Sequence, residues 1–148
     1  MADNKTPFNP SRSATARVKN PLPPIEECRY CGGKVAVLEN KIIYGRNYGE
    51  YPWMYICLGC NAYVGLHPFT NIPLGTLANA QLRKFRNECK DAFNQIWRDK
   101  HMTRSEAYAW LADQMGIDVG VCHFGWFERE ECLKAEVLCR DYLEKLGY

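Results

Sequence analysis

Two Cys-x-x-Cys pairs constrain the fold of this chain more than any other feature. The first pair is Cys28 and Cys31, and the second, separated from it by 25 residues, is Cys57 and Cys60. Each pair places two thiolates in one tight turn, and two such turns complete the four-sulfur shell of a tetrahedral zinc ion. Because four thiolates leave no open coordination position, we predict one structural Zn²⁺ held by these four cysteines.

Glycines accompany both pairs. Gly32 and Gly33 follow the first pair, and Gly59 lies inside the second. A residue without a Cβ relieves the crowding that arises where backbone amides curl towards thiolate sulfurs. The glycines therefore favour metal-binding turns over an ordinary pair of buried thiols.

Other uses of paired cysteines fit the sequence less well. A redox pair of the thioredoxin type needs one Cys-x-x-Cys in a βαβ pattern, which the sequence lacks. Disulfides need an oxidising compartment, and we see neither an apolar signal-peptide core nor a run of about 18 apolar residues. We therefore expect a reducing, cytoplasmic setting and no membrane partner.

Short runs of β-branched and aromatic residues surround the cysteine pairs. Residues 34–38, 41–45, 53–56 and 62–65 have the composition of strands, with turn residues between them. So small a sheet buries little apolar surface, and a metal ion would replace the missing core. Residues 26–67 are therefore predicted to form a zinc ribbon of antiparallel strands.

The remainder of the chain favours helices. Apolar residues recur at steps of three and four over about residues 77–99, and again over about 128–146. Between these segments, Thr103 and Glu106 have the spacing of a capping box, which starts a third helix. We therefore predict an α+β fold class, with about three helices after the ribbon.

The flanking segments complete the predicted organisation. Residues 1–25 are poor in large apolar residues and rich in Ser, Asn and Pro, so we expect a disordered basic arm. Residues 68–76 contain two prolines and a glycine and are expected to form a linker. The predicted domains are then the ribbon, 26–67, and a helical domain, 77–148.

Charge is distributed unevenly along the chain. The net charge is +2, but residues 1–104 hold 15 Lys and Arg against 8 Asp and Glu, whereas residues 105–148 hold 4 against 9. The excess of basic residues in segment 1–104 permits an anionic partner. Six basic residues on the ribbon and the first helix are candidate phosphate contacts: Lys34, Lys41, Arg46, Arg83, Arg86 and Lys90. Three ribbon tyrosines either stack on bases or pack on the sheet: Tyr44, Tyr48 and Tyr63.

Several further residues have the chemistry of metal ligands. These are Cys89, Cys122, His123, Cys132 and Cys139. Their spacing matches no compact zinc pattern, and Cys89, Cys132 and Cys139 lie on apolar stripes, which favours buried free thiols. His67 follows the second cysteine pair and is either an additional ligand or a hydrogen-bonding residue.

No catalytic pattern stands out. A zinc-stabilised nuclease of the HNH type needs a catalytic histidine between the cysteine pairs, and residues 32–56 contain no histidine. Neither a phosphate-binding loop nor a nucleophile elbow is present. A helix-turn-helix over residues 104–127 is an alternative, although its second helix, Asp118 to Phe127, lacks side chains that read base edges. We expect no enzymatic activity and no small-molecule substrate.

The motifs together resemble a known family. The cysteine pairs with Gly32 and Gly33, the segments 73–78 and 102–112, and the aromatic segment 122–127 resemble the zinc-finger-containing domain family of unknown function. The resemblance covers about residues 26–140. It implies the four zinc ligands and an origin on a bacteriophage, prophage or plasmid, and it implies no activity.

Two functions are compatible with these features. The first is a non-enzymatic, zinc-stabilised protein that binds DNA or RNA. The second is a module that binds a host protein complex and inhibits or redirects it, such as a defence nuclease, a recombination enzyme or RNA polymerase. The second would use the acidic residues near the C-terminus: Glu128, Glu130, Glu131, Glu136, Asp141 and Glu144.

Overall fold

The computed structural model describes residues 4–148, and the chain divides into two compact units, Met1–Asn79 and Ala80–Tyr148. The first unit contains a three-stranded antiparallel sheet in the order β1-β2-β3. The strands are β1 (Val35–Glu39), β2 (Trp53–Cys57) and β3 (Tyr63–Gly65). The predicted α+β class, with a small ribbon followed by helices, is confirmed.

The register of the sheet places the cysteine pairs at one end. Val35 of β1 lies opposite Cys57 of β2, and Ile56 lies opposite Tyr63 of β3. The first pair occupies the turn before β1, where Glu27 and Lys34 form an isolated bridge. The second pair occupies the turn between β2 and β3. The two metal-binding turns are therefore neighbours because the strands that carry them are paired.

Residues 41–45 were predicted to be a strand, and that prediction is wrong. They form a short helical turn, α2 (Lys41–Tyr44), which Gly45 ends in the left-handed conformation at φ 83°. The side chain of Asn40 accepts from the backbone N–H of Tyr48 and donates to its carbonyl, both at 2.9 Å. Asn47 Oδ1 accepts from the N–H of Lys41 at 3.1 Å. These side chains satisfy backbone groups that strand pairing would otherwise use.

The N-terminal arm also differs from the expectation of disorder. Its first three residues lie outside the described range. Beyond them, α1 (Arg12–Arg17) begins at Ser11, whose hydroxyl accepts from the N–H of Ala14. The N–H of Ser11 donates to the carbonyl of Phe69 at 2.8 Å, and the ring of Phe8 meets Trp53 edge-on. Composition indicated a solvated tail, but a few specific contacts attach this segment to the first unit.

Residues 68–76 pack within the first unit as well, although they were predicted to be a linker. The Tyr51 and Tyr55 hydroxyls donate to the carbonyls of Thr70 and Asn71, and Thr70 is fully buried. Ala78 exchanges two backbone hydrogen bonds with Tyr63. Because these bonds keep the chain extended up to residue 79, the following helix begins at residue 80 and not at 77.

The second unit is helical. It contains α3 (Ala80–Arg98), α4 (Arg104–Met115) and α5 (Arg129–Lys145), and α3 packs chiefly against α5. The capping box predicted at the start of α4 is present, and Gly116 ends that helix with φ 70°. The segment after α4 forms two 3₁₀ turns, Val119–Val121 and Phe124–Trp126, instead of the single recognition helix that a helix-turn-helix requires.

The apolar stripes predicted for the helices form one core. Its most deeply buried large side chains are Phe93, Ile96, Leu111 and Phe127. Four cysteines complete this core: Cys89, Cys122, Cys132 and Cys139. Across the described residues, none of the helices is long and apolar enough to cross a bilayer.

Candidate functional site

The four paired cysteines converge at the end of the sheet. The Sγ atoms of Cys28 and Cys60 are 3.6 Å apart, and those of Cys31 and Cys57 are 3.4 Å apart. All four sulfurs lie within 4.8 Å of one another. Zinc–sulfur bonds of about 2.3 Å in a tetrahedron place the sulfurs roughly 3.8 Å apart. The donor set and its spacing fit one zinc ion.

Backbone amides surround the sulfurs. The N–H groups of Tyr30, Gly33 and Gly59 donate to Cys28, Cys31 and Cys57 at 3.3 to 3.4 Å. The N–H of Cys60 is the largest of several hydrogen-bond influences that lower the pKa of Cys57 to about 6 despite burial, which raises it. Such donors stabilise thiolates and orient them, as outer-shell groups do in metal sites.

Gly33 and Gly59 have the role that the sequence predicted, whereas a Cβ at Gly32 would meet no ligand sulfur. A Cβ at Gly33 would lie 3.2 Å from the Cys31 sulfur and 3.3 Å from the Cys57 sulfur. A Cβ at Gly59 would lie 3.2 Å from the Cys31 sulfur. The turns can bring their amides to the sulfurs because these positions lack side chains. The four thiolates complete a shell typical of a structural zinc, with no position for a substrate.

The second metal site that the sequence left open does not form in the described part of the chain. Between residues 4 and 148, the four paired cysteines are the only group of three or more candidate ligands with atoms close enough to share an ion. The other four cysteines are buried in the helical core, and burial raises the pKa of Cys89 and Cys139 to about 12. His67 lies outside the cysteine cluster.

The candidate phosphate contacts fall into two separate groups. Lys41 and Arg46 belong to the loop between β1 and β2, and the exposed Lys34 precedes β1 beside the first metal-binding turn. Arg83, Arg86 and Lys90 lie on α3 of the second unit. Three of the six residues therefore belong to the first unit and three to the second.

Arg46 packs against one of three neighbouring tyrosines, and Lys41, whose Nζ lies 3.8 Å from a carboxylate oxygen of Glu39, precedes Tyr44 by three residues on α2. The name tyrosine surface denotes Tyr44, Tyr48 and Tyr63 together with these two basic residues. The ring of Tyr44 meets those of Tyr48 and Tyr63 edge-on, with centroids 5.5 and 6.2 Å apart. Tyr44 and Tyr48 are 47% and 48% exposed. The Arg46 guanidinium lies 4.6 Å from the centroid of Tyr48. These tyrosines are therefore only partly used in sheet packing.

The basic residues of α3 line a cleft of about 220 Å³. The cleft residues are Arg83, Arg86, Asn87, Lys90, Phe124 and Gly125. Asn87 and Phe124 were not predicted as site residues. Asn87 follows Arg83 by four residues and precedes Lys90 by three, so helical spacing alone would have placed it on the same face. Phe124 arrives from a distant turn, and no local pattern indicates its position.

Arg86 differs from the exposed phosphate contact that the sequence predicted. It is 8% exposed. Its Nε donates to the carbonyl of Phe127 at 2.8 Å, and its Nη2 lies 3.5 Å from a carboxylate oxygen of Glu128. A buried guanidinium with these partners joins α3 to the start of α5. We assign Arg86 a structural role within the lining of the cleft.

Comparison with known proteins agrees with the cysteine geometry. No curated protein and no solved structure matches the chain. A family model described as a zinc-finger-containing domain matches residues 24–142, which include all four cysteines and most of the helical unit. The chain therefore belongs to the zinc-finger-containing domain family.

Proposed function

We propose that this protein binds nucleic acid without catalysing a reaction on it, and that the zinc ion maintains the binding surface. The tyrosine surface is the observation that carries the proposal. Half-exposed aromatic rings beside guanidinium and ammonium groups are the parts from which proteins build platforms for unpaired bases. Each stacked base contributes about 1–3 kcal/mol, and the cations attract the phosphates.

The loop that carries the tyrosine surface is held in place before any ligand arrives. Asn40 and Asn47 fix its backbone through three hydrogen bonds, and the Asn47 side chain also donates to Glu39. The Tyr44 hydroxyl donates to that of Tyr63 on β3 at 3.4 Å. A surface ordered in advance loses less conformational entropy on binding. The sheet that supports this loop carries the zinc ligands at its other end, so its strands connect the metal to the surface.

The acidic side chains of α5 do not favour the second hypothesis, an interaction with a host protein complex. Glu136 pairs with Arg140, and Asp141 pairs with Lys145. Glu128 and Glu131 form a capping box at the start of α5. Four of the six acidic residues are thus engaged locally, which leaves less negative charge for the basic surface of a partner. From the family resemblance alone, we propose that a phage, prophage or plasmid encodes the protein and that it acts in the bacterial cytoplasm.

Binding of the zinc-loaded protein to fluorescent oligonucleotides tests the proposal. Single-stranded and duplex DNA and RNA should be compared at about 50 mM and 200 mM salt, since affinity for phosphates falls steeply with salt. The double variant Tyr44→Ala/Tyr48→Ala should lose at least tenfold in affinity for single strands. Tyr148→Ala removes an exposed tyrosine of the other unit and serves as the matched control. Absence of binding to all four ligands at the lower salt would refute the proposal.

A further inference from the structure

We propose that the cleft on α3 is a phosphate-binding site centred on Lys90. This site lies in the helical unit and does not depend on the nucleic-acid function proposed for the tyrosine surface. Its ligand is a phosphate group, either carried on a small molecule or belonging to a polynucleotide. The proposal rests on the position of Lys90, on its electrostatic surroundings and on the polar groups that share the cleft.

The ammonium group of Lys90 lacks a counter-ion among the residues that the structure describes. Lys90 is partly buried, and its Nζ lies 5.8 Å from the centroid of the Phe124 ring. Within residues 4–148, no ion pair involves Lys90, whereas Lys84 on the same helix pairs with Glu88 at 3.8 Å. A partly buried cation that lacks a carboxylate is costly unless a ligand compensates its charge.

The surroundings of Lys90 increase this cost. Burial, and after it the charges of Arg104 and Arg98, lower the pKa of Lys90. All of these influences disfavour the charged ammonium, and an anion in the cleft would reverse the balance. The charges of Arg104 on α4 and Arg98 on α3 therefore add to the positive potential at Lys90.

The other cleft residues supply the complementary parts of an anion site. Arg83 and the buried Arg86 also line the cleft, and the Arg86 guanidinium is held by the Phe127 carbonyl and the Glu128 carboxylate. The exposed side-chain amide of Asn87 offers two further donors, and it has no hydrogen-bond partner in the described chain. Gly125 adds backbone without a side chain at the rim. A volume of about 220 Å³ holds a phosphate group with part of its attached molecule.

Titration of the full, zinc-loaded protein with inorganic phosphate tests the site. Backbone amide shifts should be recorded by NMR at constant ionic strength, with chloride as the balancing anion. We expect saturable shifts at Asn87, Lys90 and Gly125. Lys90→Met should weaken phosphate binding about tenfold, as expected for the loss of a charge-assisted hydrogen bond. Lys84→Met, the matched change on the same helix, should leave binding unaltered, and Lys90→Arg should retain most of it.

The outcomes separate clearly. Small, non-saturable shifts spread over all surface Lys and Arg, or equal affinity in the wild type and Lys90→Met, would overturn the proposal. If circular dichroism shows that Lys90→Met is misfolded, a wild type that does not saturate or a Lys90→Arg variant without binding overturns it instead. Two further ligands then distinguish the source of the phosphate group. A nucleoside monophosphate represents a small molecule, and a short oligonucleotide without terminal phosphates represents a polynucleotide. Because inorganic phosphate cannot stack, failure here leaves the function of the tyrosine surface unaffected.

Discussion

The two units of this chain solve the same stability problem in different ways. The helical unit buries large apolar side chains in one core, where Phe93 and Ile96 are fully inaccessible. Among the described residues, the core cluster of the first unit is smaller, with seven buried residues against fifteen, and two of the seven are the zinc ligands Cys28 and Cys57. Hydrophobic burial is proportional to area, so a three-stranded sheet gains little from it. The difference indicates that the metal substitutes for a core in one unit only.

The largest effect should follow from removing a zinc ligand. Cys57→Ser leaves three thiolates, and zinc binding supplies about 10–16 kcal/mol in small zinc domains. We expect zinc loss and collapse of amide dispersion for residues 26–66 in NMR spectra, with the helical unit still dispersed. Cys139→Ala removes a buried thiol from the other unit and should retain one zinc per chain. Equal zinc content in both variants would contradict the proposed difference between the two units.

Truncation of the helical core should destabilise the helical unit and leave zinc binding by the first unit intact. Phe93 is fully buried and contacts the rings of Tyr108 and Phe124. Phe93→Ala should lower the free energy of unfolding of the helical unit by about 3–5 kcal/mol, because it removes apolar contacts and leaves a cavity. Urea titration followed by circular dichroism measures this loss. Zinc stoichiometry should stay at one, and a variant that also lost its zinc would show that the units do not fold separately.

Alkaline pH should weaken the helical unit through its thiols. Burial raises the pKa of Cys89 and Cys139 to about 12 and that of Cys122 to about 11. Unfolded thiols ionise near pH 8.5, so above that pH the unfolded chain binds fewer protons than the folded chain. Stability should therefore fall as pH rises from about 8.5 towards 11, by at most about 1.4 kcal/mol per pH unit for each thiol.

This pH effect is measured as the difference between the midpoints of urea-induced unfolding at pH 8 and at pH 10. Cys139→Ala should show a smaller difference between the two pH values than the wild type. An identical difference in both proteins would mean that the Cys139 thiol does not contribute.

Two glycine substitutions give the smallest and most specific contrast. Gly33→Ala places a methyl group 3.2 to 3.3 Å from two ligand sulfurs and should weaken zinc binding about tenfold in a chelator competition. Gly116→Ala meets no atom within 4 Å, but it strains a residue at φ +70° at the end of α4. It should cost about 1 kcal/mol of helical stability and leave zinc affinity unchanged. A reversal of these effects would contradict the assigned roles.

The features predicted correctly from the sequence have causes that are local in the chain. Two cysteines three residues apart share a turn in almost any context, and Thr103 and Glu106 cap a helix with their own backbone. The apolar stripe of α3 followed from helical periodicity. These predictions required no knowledge of distant residues.

The features that were missed depend on partners remote in the sequence. Arg86 is held by groups of Phe127 and Glu128, more than 40 residues away. The N-terminal arm is attached through Phe69, and the supposed linker through the tyrosines of β2 and its preceding loop. Asn40 is a partial exception, since its bonds to Tyr48 span only eight residues. There the β-branched run at residues 42–43 obscured the turn chemistry.

Hydrogen exchange with and without zinc tests the central claim most directly. The intact protein should be compared, by mass spectrometry, as purified with one zinc and after removal of the metal by a chelator. We predict that amide protection is lost over residues 26–66 and retained in α3, α4 and α5, and that added zinc restores it. Unchanged protection in the ribbon after confirmed removal of zinc would contradict a structural role for the metal, as would equal loss throughout both units.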